Sequence, residues 1–254
     1  MRRRKRKGSD EKLLSYENYV VNGKLNQAPP NINTLDYTNT QIFNHTNFDN
    51  REVVRDKTYD DIINNYRGQW SRVFGNNNPI HVEVGSGRGK FITTLALKNP
   101  DINYIALEIK EEVLIRGVEK VFDKNISNIK FLWGEVEFFE HYFSDSELDR
   151  IYINFCDPWP KKRNSKRRLT SEKFLELYRK KLNSKPSSGI HFKTDNQDLF
   201  EFSLNEMSEN KWTFRNISLN LVKSDFSKEN VTTEYEEKFM ELGMPIYRLE
   251  AYTL

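Results

Sequence analysis

The chain has 254 residues, of which 37% are hydrophobic and 30% are charged, and its formal net charge is +3. That length and apolar content suffice for one large α/β domain with its own core. The single cysteine, Cys156, excludes an intrachain disulfide, which fits a reducing compartment and a cytoplasmic location. The sequence predicts neither a membrane span, since no apolar run approaches roughly 18 residues, nor a secretory signal.

Positive charge is concentrated in two short runs. Six of the first seven residues are basic, and so are six of the eight residues at 161–168. The rest of the chain is acidic. Local positive charge on an acidic body is typical of a protein that holds a polyanion at a defined place. For the N-terminal run a solvated tail explains the charge equally well. For 161–168 the residues that precede it favour nucleic-acid binding.

Residues 1–57 show little periodicity, and the Asn-, Thr- and Pro-rich stretch at 22–50 predicts an extended or mobile segment. The first helix is expected over about 58–74, where apolar residues recur on one helical face. We therefore expect a basic, Asn-rich N-terminal arm over 1–57 and one domain over 58–254.

From residue 80 the pattern alternates strands with helices. Strands are predicted at 80–84, 103–107, 129–132, 150–155 and 189–193, and helices near 89–98, 110–123, 135–143, 171–182 and 196–208. A strand near 213–219, a helix near 234–242 and a strand near 246–252 follow. Thr233 and Glu236 are expected to form a capping box for that helix, and Gly243 to end it. The alternation predicts an α/β fold with a mostly parallel seven-stranded sheet and helices on both faces.

A glycine-rich loop, 85–89, joins the strand at 80–84 to the next helix. Its glycines permit a tight turn and close approach of a ligand. The loop lacks the Gly-x-Gly-x-x-Gly spacing of a dinucleotide site, and Glu83 just before it is unfavourable for a phosphate. Glu108 follows the next strand, where it could accept both ribose hydroxyls, and Glu135 follows the third, near an adenine edge. The three acids favour S-adenosylmethionine, which has an ammonium, a sulfonium and no phosphate, although ordinary helix-start acids would give the same pattern.

The sharpest signal is the segment 154–160, Asn-Phe-Cys-Asp-Pro-Trp-Pro, which the second basic run follows directly. Ligands of open α/β sheets lie beyond the carboxyl ends of the strands, where Asp157 is expected. Two prolines stiffen the loop, and Trp159 could stack on a base. A turn-forming Asp157 and a packing role for Trp159 are the alternatives. Cys156 is expected to be a small buried hydrophobe and not a nucleophile. The histidines show no metal-ligand spacing, so no metal site is predicted.

Together these motifs resemble the bacterial tRNA (guanine-N7)-methyltransferases, which modify guanosine 46 in the variable loop of tRNA. The resemblance covers roughly residues 58–254. It lies in segments 83–91, 105–108, 154–163, 166–170, 192–196 and 233–239. Two features depart from the family: Asn164 stands where a histidine is usual, and 22–50 has no recognisable counterpart.

The resemblance implies a Rossmann-like, class I S-adenosylmethionine-dependent methyltransferase with a defined set of site residues. Cofactor contacts are implied at Glu83, Gly85, Gly87, Glu108, Glu135 and Asp157, and Asp157 is also the catalytic candidate. Substrate contacts are implied at Lys161, Asp195, Thr233, Glu234, Tyr235 and Glu236. We expect tRNA phosphates to bind Lys162, Arg163, Lys166, Arg167 and Arg168. The expected partner is tRNA, with no membrane and no obligatory protein partner, and the expected state is a monomer or homodimer.

Three other functions fit the sequence less well. The Asp157-Pro158-Trp159 segment faintly resembles the Asp/Asn-Pro-Pro-aromatic motif of enzymes that methylate exocyclic amines of adenine, but the order of residues differs. A nicotinamide-dependent oxidoreductase would need the missing glycine spacing and no basic run. A non-catalytic RNA-binding protein would not need acids at successive strand ends.

Overall fold

A computed structural model of the protein describes residues 8–24 and 57–253, and for 57–60 it describes the backbone alone. The strands of this part of the chain are β1 (Val20–Asn22), β2 (Ile80–Val84), β3 (Asn103–Glu108), β4 (Ile129–Trp133), β5 (Arg150–Asn154), β6 (Gly189–Thr194), β7 (Thr213–Ser218) and β8 (Tyr247–Tyr252). The helices are α1 (Ser9–Leu14), α2 (Lys57–Asn65), α3 (Trp70–Phe74), α4 (Lys90–Lys98), α5 (Glu111–Asp123), α6 (Phe139–Tyr142), α7 (Glu172–Lys181), α8 (Gln197–Glu209) and α9 (Glu234–Glu241). Short 3-10 helices occur at Val136–Phe138, Lys162–Arg167, Leu221–Lys223 and Asp225–Glu229. The basic start of the chain and residues 25–56 of the predicted arm lie outside the described residues.

The strands form one sheet in the order β1-β4-β3-β2-β5-β6-β8-β7. The first six strands of that order pair in parallel, and β8 lies antiparallel between β6 and β7. The prediction of a mostly parallel sheet is therefore confirmed, but the sheet has eight strands and not seven. The additional strand is β1, whose Val20 lies opposite Phe131 of β4. Three residues are too few to show a strand periodicity, so the sequence pattern did not reveal β1.

The described part of the predicted arm, residues 8–24, belongs to the edge of the sheet. Leu13 of α1 is fully buried in the core between the sheet and α5. The backbone N–H of Phe131 donates to the carbonyl of Tyr19 at 2.7 Å, and that of Gly23 donates to Trp133 at 2.9 Å. These hydrogen bonds continue the parallel ladder beyond β4.

The sheet is covered on both faces, as the alternation of elements predicts. On one face α2, α3, α6, α7 and α8 pack on apolar side chains such as Val82, Ile151 and Phe192. On the other face α1, α4 and α5 pack on side chains such as Tyr104 and Phe131. Successive side chains of a strand point to opposite faces of the sheet, so each strand contributes alternately to the two cores.

The single helix expected over 58–74 is divided into α2 and α3. Gly68 lies between them with φ +73°, a left-handed conformation that ends a helix and that glycine adopts without strain. The Glu147 carboxylate accepts the backbone N–H groups of Gly68 at 3.0 Å and Trp70 at 3.2 Å, which fixes the break. The helix expected over 135–143 likewise begins as a 3-10 turn before α6.

The hydroxyl of Tyr142 joins the N-terminal segment to the loop after β4. It donates to the carbonyl of Gly23 at 2.7 Å and accepts the backbone N–H of Glu135 at 3.1 Å. The Tyr142 side chain is fully buried, so its hydroxyl depends on these two backbone groups for hydrogen bonds. In the described ranges, no helix is long and apolar enough to cross a membrane.

We expect Tyr142→Phe to lower the free energy of unfolding by about 1–3 kcal/mol, because it removes the hydrogen-bond partner of the Gly23 carbonyl and of the Glu135 N–H. Tyr178→Phe is the matched control, since Tyr178 is equally buried but its hydroxyl has no hydrogen-bond partner among the described residues. Removal of an unpaired buried hydroxyl should be neutral or stabilising. Urea unfolding of both variants measures the difference, and equal losses would contradict the bridging role.

Candidate active site

The carboxyl ends of four neighbouring parallel strands bring most of the predicted cofactor residues into one cavity. The cavity measures about 340 Å³, and its lining includes Gly85 after β2, Glu108 at the end of β3, Glu135 after β4 and Asp157 after β5. Such a position, beyond the strand ends, is where open α/β sheets bind ligands. The convergence of these four residues follows directly from the parallel order of the strands.

The glycine loop between β2 and α4 turns on left-handed residues. Gly85, Gly87 and Gly89 have φ values of +75°, +57° and +72°, which side chains with a Cβ rarely adopt. A Cβ at Gly85 or Gly87 would meet no atom within 4 Å, so these two glycines are required by the backbone conformation and not by crowding. The loop consequently leaves open space on the side of the cavity.

The amide groups of this loop are largely occupied within the protein. The N–H groups of Gly85 and Ser86 donate to Leu107, and that of Gly89 donates to Ser86. The N–H of Gly87 donates to the Glu108 carboxylate at 3.0 Å. A phosphate-binding loop needs such amides free and a positive potential around them. The structure therefore argues against a dinucleotide pyrophosphate here.

Glu83 lies beneath the loop and not on the surface of the cavity. Its side chain is 2% exposed, and its Oε1 accepts the Asn154 amide at 2.8 Å. Its Oε2 is buried with no hydrogen-bond partner among the described residues. Burial raises the pKa of Glu83 to about 8, against the opposing effect of the Asn154 hydrogen bond and the Lys193 charge. This orphaned oxygen suits a cationic or donor group from a ligand.

Glu108 and Glu135 have different surroundings. The Glu108 carboxylate is 9% exposed and accepts the backbone N–H groups of Gly87 and Lys110, both at 3.0 Å. Glu135 is more exposed, and its Oε1 lies 3.4 Å from the Nζ of Lys24. Lys24 comes from the segment after β1, so the N-terminal segment contacts a residue of the cavity lining. No sequence pattern linked Lys24 to this place.

The loop after β5 is conformationally unusual. Phe155 and Trp159 have φ values of +52° and +43°, which is uncommon for non-glycine residues and typical of functional sites. Asp157 lies between them and is exposed to solvent at the cavity. Burial, and secondarily the Asp157 charge, raise the pKa of the Cys156 thiol to about 12. Cys156 therefore stays a protonated thiol, which disfavours a nucleophilic role.

The basic run supports the loop as well as presenting charge. The Arg168 guanidinium donates to the carbonyls of Pro158 at 2.9 Å and Trp159 at 3.1 Å. Arg167 stacks on the Trp159 ring, with its Cζ 3.9 Å from the centroid. Arg168, expected as a phosphate ligand, is thus engaged in holding the loop, and one face of Trp159 is already covered. The other basic residues of the run, which lie at the surface, are Lys161, Lys162, Arg163 and Lys166.

The helix α9 begins with the predicted capping box. Thr233 Oγ1 accepts the N–H of Glu236 at 2.9 Å, and the Glu236 carboxylate accepts the N–H of Thr233 at 3.3 Å. Tyr235 is 49% exposed and packs on Phe155, with ring centroids 5.3 Å apart. Partial burial and the nearby charges of Asp195 and Asp157 raise the pKa of Tyr235. The contact with Phe155 places Tyr235 beside the loop that leads to Asp157.

The other predicted substrate residues are placed differently. Glu234 lies at the surface and pairs with Lys120 of α5 at 3.0 Å. The substrate contact expected at Glu236 stays a prediction: its side chain is fully buried, and its carboxylate is bonded to Lys193 and Asn230. Asp195 does not cap α8, because Asn196 accepts the N–H of Leu199 at 2.8 Å and takes that role.

A larger cavity of about 520 Å³ lies over β5, β6 and β8 on the face of α4 and α5. Its lining includes His81, Tyr152 and His191 but none of the predicted site residues. Burial lowers the pKa of His81 to about 3, so this histidine is neutral. Among residues 8–24 and 57–253, no group of three or more His, Cys, Asp or Glu is arranged to hold a metal ion.

Sequence comparison identifies relatives along nearly the whole chain. Residues 77–249 match the model of a family described as putative methyltransferases. A tRNA (guanine-N(7)-)-methyltransferase of Clostridioides difficile is 51% identical over 251 residues, which is 99% of this chain and 98% of that protein. A protein of the same name from Bacillus licheniformis is 51% identical over 73% of this chain and 86% of its own length. The match to the Clostridioides protein also corrects the expectation that 22–50 has no counterpart.

Comparison with solved structures supports the fold. A 30S ribosomal A1408 methyltransferase from an uncultured bacterium is 18% identical and has a TM-score of 0.53, over 74% of this chain and 93% of that one. The 16S rRNA methyltransferase KamB gives a TM-score of 0.55 at 13% identity, over 75% of this chain and 95% of that one. With its site at the strand ends and its relatives in sequence, the chain belongs to the family of bacterial tRNA (guanine-N7)-methyltransferases.

Proposed function

We propose that this protein transfers the methyl group of S-adenosylmethionine to N7 of a guanosine in tRNA, at position 46 of the variable loop. The observation that carries the proposal is the single cavity in which Gly85, Glu108, Glu135 and Asp157 converge beside the basic run. The relatives named as tRNA (guanine-N(7)-)-methyltransferases support the choice of substrate. We place the reaction in the cytoplasm.

The polar groups at the cavity fit S-adenosylmethionine. Glu108 offers its carboxylate, already fixed by two backbone N–H groups, to ribose hydroxyls. Beneath the glycine loop, the unpaired Oε2 of Glu83 would suit an ammonium group that reaches it from the cavity. Glu135 lines the same cavity and would face the adenine. When bound, the cofactor supplies an electrophilic methyl group on a sulfonium. Because the loop amides are occupied, a cofactor without phosphate is preferred over a dinucleotide.

The residues of the chain then need to position guanine and not to deprotonate it. Guanine N7 has an in-plane lone pair and no proton to lose, so a strong general base is unnecessary. Positive charge develops on the purine during transfer, and the Asp157 carboxylate would stabilise it. Asp157 could also accept hydrogen bonds from the N1 and N2 edge of the base. Tyr235, exposed and packed on Phe155 of the loop that leads to Asp157, would offer an aromatic surface for the base.

The first prediction of the proposal concerns turnover. The wild-type protein should transfer labelled methyl groups to unmodified tRNA transcripts that have guanosine 46, and the label should be recovered as 7-methylguanosine. Asp157→Asn, which keeps the shape but removes the charge, should lower kcat by about 100-fold or more and leave the Kd for tRNA nearly unchanged. Equal losses of kcat and of tRNA affinity would assign Asp157 to binding. Label on a transcript without guanosine 46 would refute the target position.

The second prediction concerns the exposed part of the basic run. Neutralising Lys162, Arg163 and Lys166 with Gln should weaken tRNA binding and reduce the slope of log Kd against log salt by about 0.7–0.9 for each phosphate that the variant no longer neutralises. The control is the pair Lys124→Gln and Lys180→Gln, lysines near the C-terminal ends of α5 and α7. Those helix ends lie on the side of the sheet opposite the strand ends that form the site. Replacing the two lysines should therefore leave the slope of log Kd against log salt unchanged. An unchanged slope in the triple variant would show that the run is only solvated.

The third prediction follows from Glu83. Because its pKa is raised to about 8 in the folded protein and is ordinary in the unfolded chain, the unfolded state ionises first as the pH rises. Glu83 therefore contributes stability below about pH 4.5 that is progressively lost up to about pH 8. We expect Glu83→Gln to gain stability relative to the wild type between about pH 5.5 and about pH 8.5. Thermal unfolding without cofactor at the two pH values tests this, and a pH-independent difference would contradict it.

A further inference from the structure

We propose that Lys193 positions the segment Thr233–Glu236, which is predicted to bind the substrate, against Asp157, and that it is therefore a positioning residue for methyl transfer. This inference rests on the proposed function. Lys193 lies on β6, two residues before Asp195, and is 5% exposed. It does not line the cavity of the cofactor residues and makes its side-chain hydrogen bonds on the side of α9.

The Lys193 ammonium uses three hydrogen bonds to hold the segment that precedes α9. Its Nζ donates to Glu236 Oε2 at 2.6 Å, to the carbonyl of Val231 at 2.9 Å and to Asn230 Oδ1 at 3.2 Å. An ammonium has three N–H donors, so its capacity is filled. The charge also lies 4.9 Å from the ring centroid of Phe91 at the start of α4.

Glu236 completes the same network from the side of the helix. Its Oε1 accepts the Asn230 amide at 2.6 Å, and its Oε2 accepts the N–H of Thr233 in the capping box. The side chain is fully buried. A buried pair of this kind is costly to break, because the remaining charge is left without compensation. The pair therefore fixes residues 230–233 and the first turn of α9 to the sheet.

The backbone of Lys193 is joined to the other half of the site. Its carbonyl accepts the N–H of Phe155 at 2.9 Å, and Phe155 is two residues before Asp157. The ring of Phe155 packs in turn on Tyr235 of α9. Lys193 is thus connected to the strand end that leads to Asp157, to Asp195 along its own chain, and to the segment that presents Tyr235.

Two exposed ion pairs also reach α9, namely Lys90 with Glu237 and Lys120 with Glu234. Exposed pairs contribute little, because water and salt screen them. The position of α9 relative to Asp157 therefore depends chiefly on the buried pair. Since a displacement of about 1 Å can cost about 100-fold in rate, this pair should govern turnover more than affinity.

The test uses the full chain and four variants: Lys193→Met, Glu236→Gln, the double variant, and the control Glu237→Gln. Glu237 is the next residue of α9, and its ion pair with Lys90 is exposed. For each variant we would measure the melting temperature, the Kd for S-adenosylmethionine, the Kd for tRNA and the single-turnover rate of methylation. Rates are taken at a temperature at which circular dichroism shows every variant to be folded.

We expect both single variants to melt at lower temperature and to lose about 100-fold in rate, with both Kd values within about threefold of wild type. The double variant should recover much of the melting temperature, because no unpaired buried charge remains. Its rate should stay low, because the connection between β6 and α9 is absent. Glu237→Gln should retain its rate within about threefold.

A purely structural role predicts a different result, in which the rate of the double variant recovers together with its melting temperature. That outcome would overturn the proposal, and so would a wild-type rate in Lys193→Met. If neither single variant folds, the double variant and Asn230→Ala decide. Asn230→Ala keeps the ion pair but removes the two hydrogen bonds that join Asn230 to Lys193 and Glu236. Its rate should therefore fall several-fold, and an unchanged rate would count against the proposal. Wild-type protein that leaves tRNA unmethylated would instead refute the proposed function itself.

Discussion

The candidate site depends on the place where the strand order reverses. β2 lies between β3 and β5 at the centre of the sheet, and the chain continues from it to α4 on one face. The loop after β5 leads instead to α7 on the other face. The two loops therefore diverge and leave a crevice beyond the strand ends, which is the general position of ligands in such sheets. Gly85, Glu108, Glu135 and Asp157 meet at the crevice because of this topology.

The chemistry of the crevice depends on which of its polar groups already have hydrogen-bond partners within the protein. The glycine loop gives its amides to Leu107, Ser86 and Glu108, so it offers space and not a set of free donors. The surrounding carboxylates are acceptors, and one oxygen of Glu83 is left in the interior without a partner among the described residues. A cationic ligand with hydroxyl groups complements this arrangement, whereas a pyrophosphate would meet carboxylates. Positive charge is kept outside, on the run that follows the Asp157 loop.

The sequence predicted the central architecture because its elements are long and strongly patterned. The alternation of buried strands and amphipathic helices gave β2 to β8 and α4 to α9 to within a few residues, and the Thr233–Glu236 box was visible as a motif. β1 was missed because three residues have no period, and α2 was joined to α3 because one glycine does not by itself end a helix. The network of Lys193 was not predictable, since its partners lie about 40 residues away in the chain and no local pattern links them.

The charged residues of the motifs divide into two groups that look alike in sequence. Arg168, which is half-buried, holds the Asp157 loop, and the buried Glu236 holds α9, while exposed neighbours such as Lys162 remain available to a polyanion. Loss of activity on substitution therefore does not distinguish a residue that touches tRNA from one that places such a residue. The physical difference is burial. An exposed charge is screened by salt, so its removal changes the salt dependence of binding, whereas a buried support changes turnover and stability. Measuring stability, affinity and rate on the same variants separates the two groups.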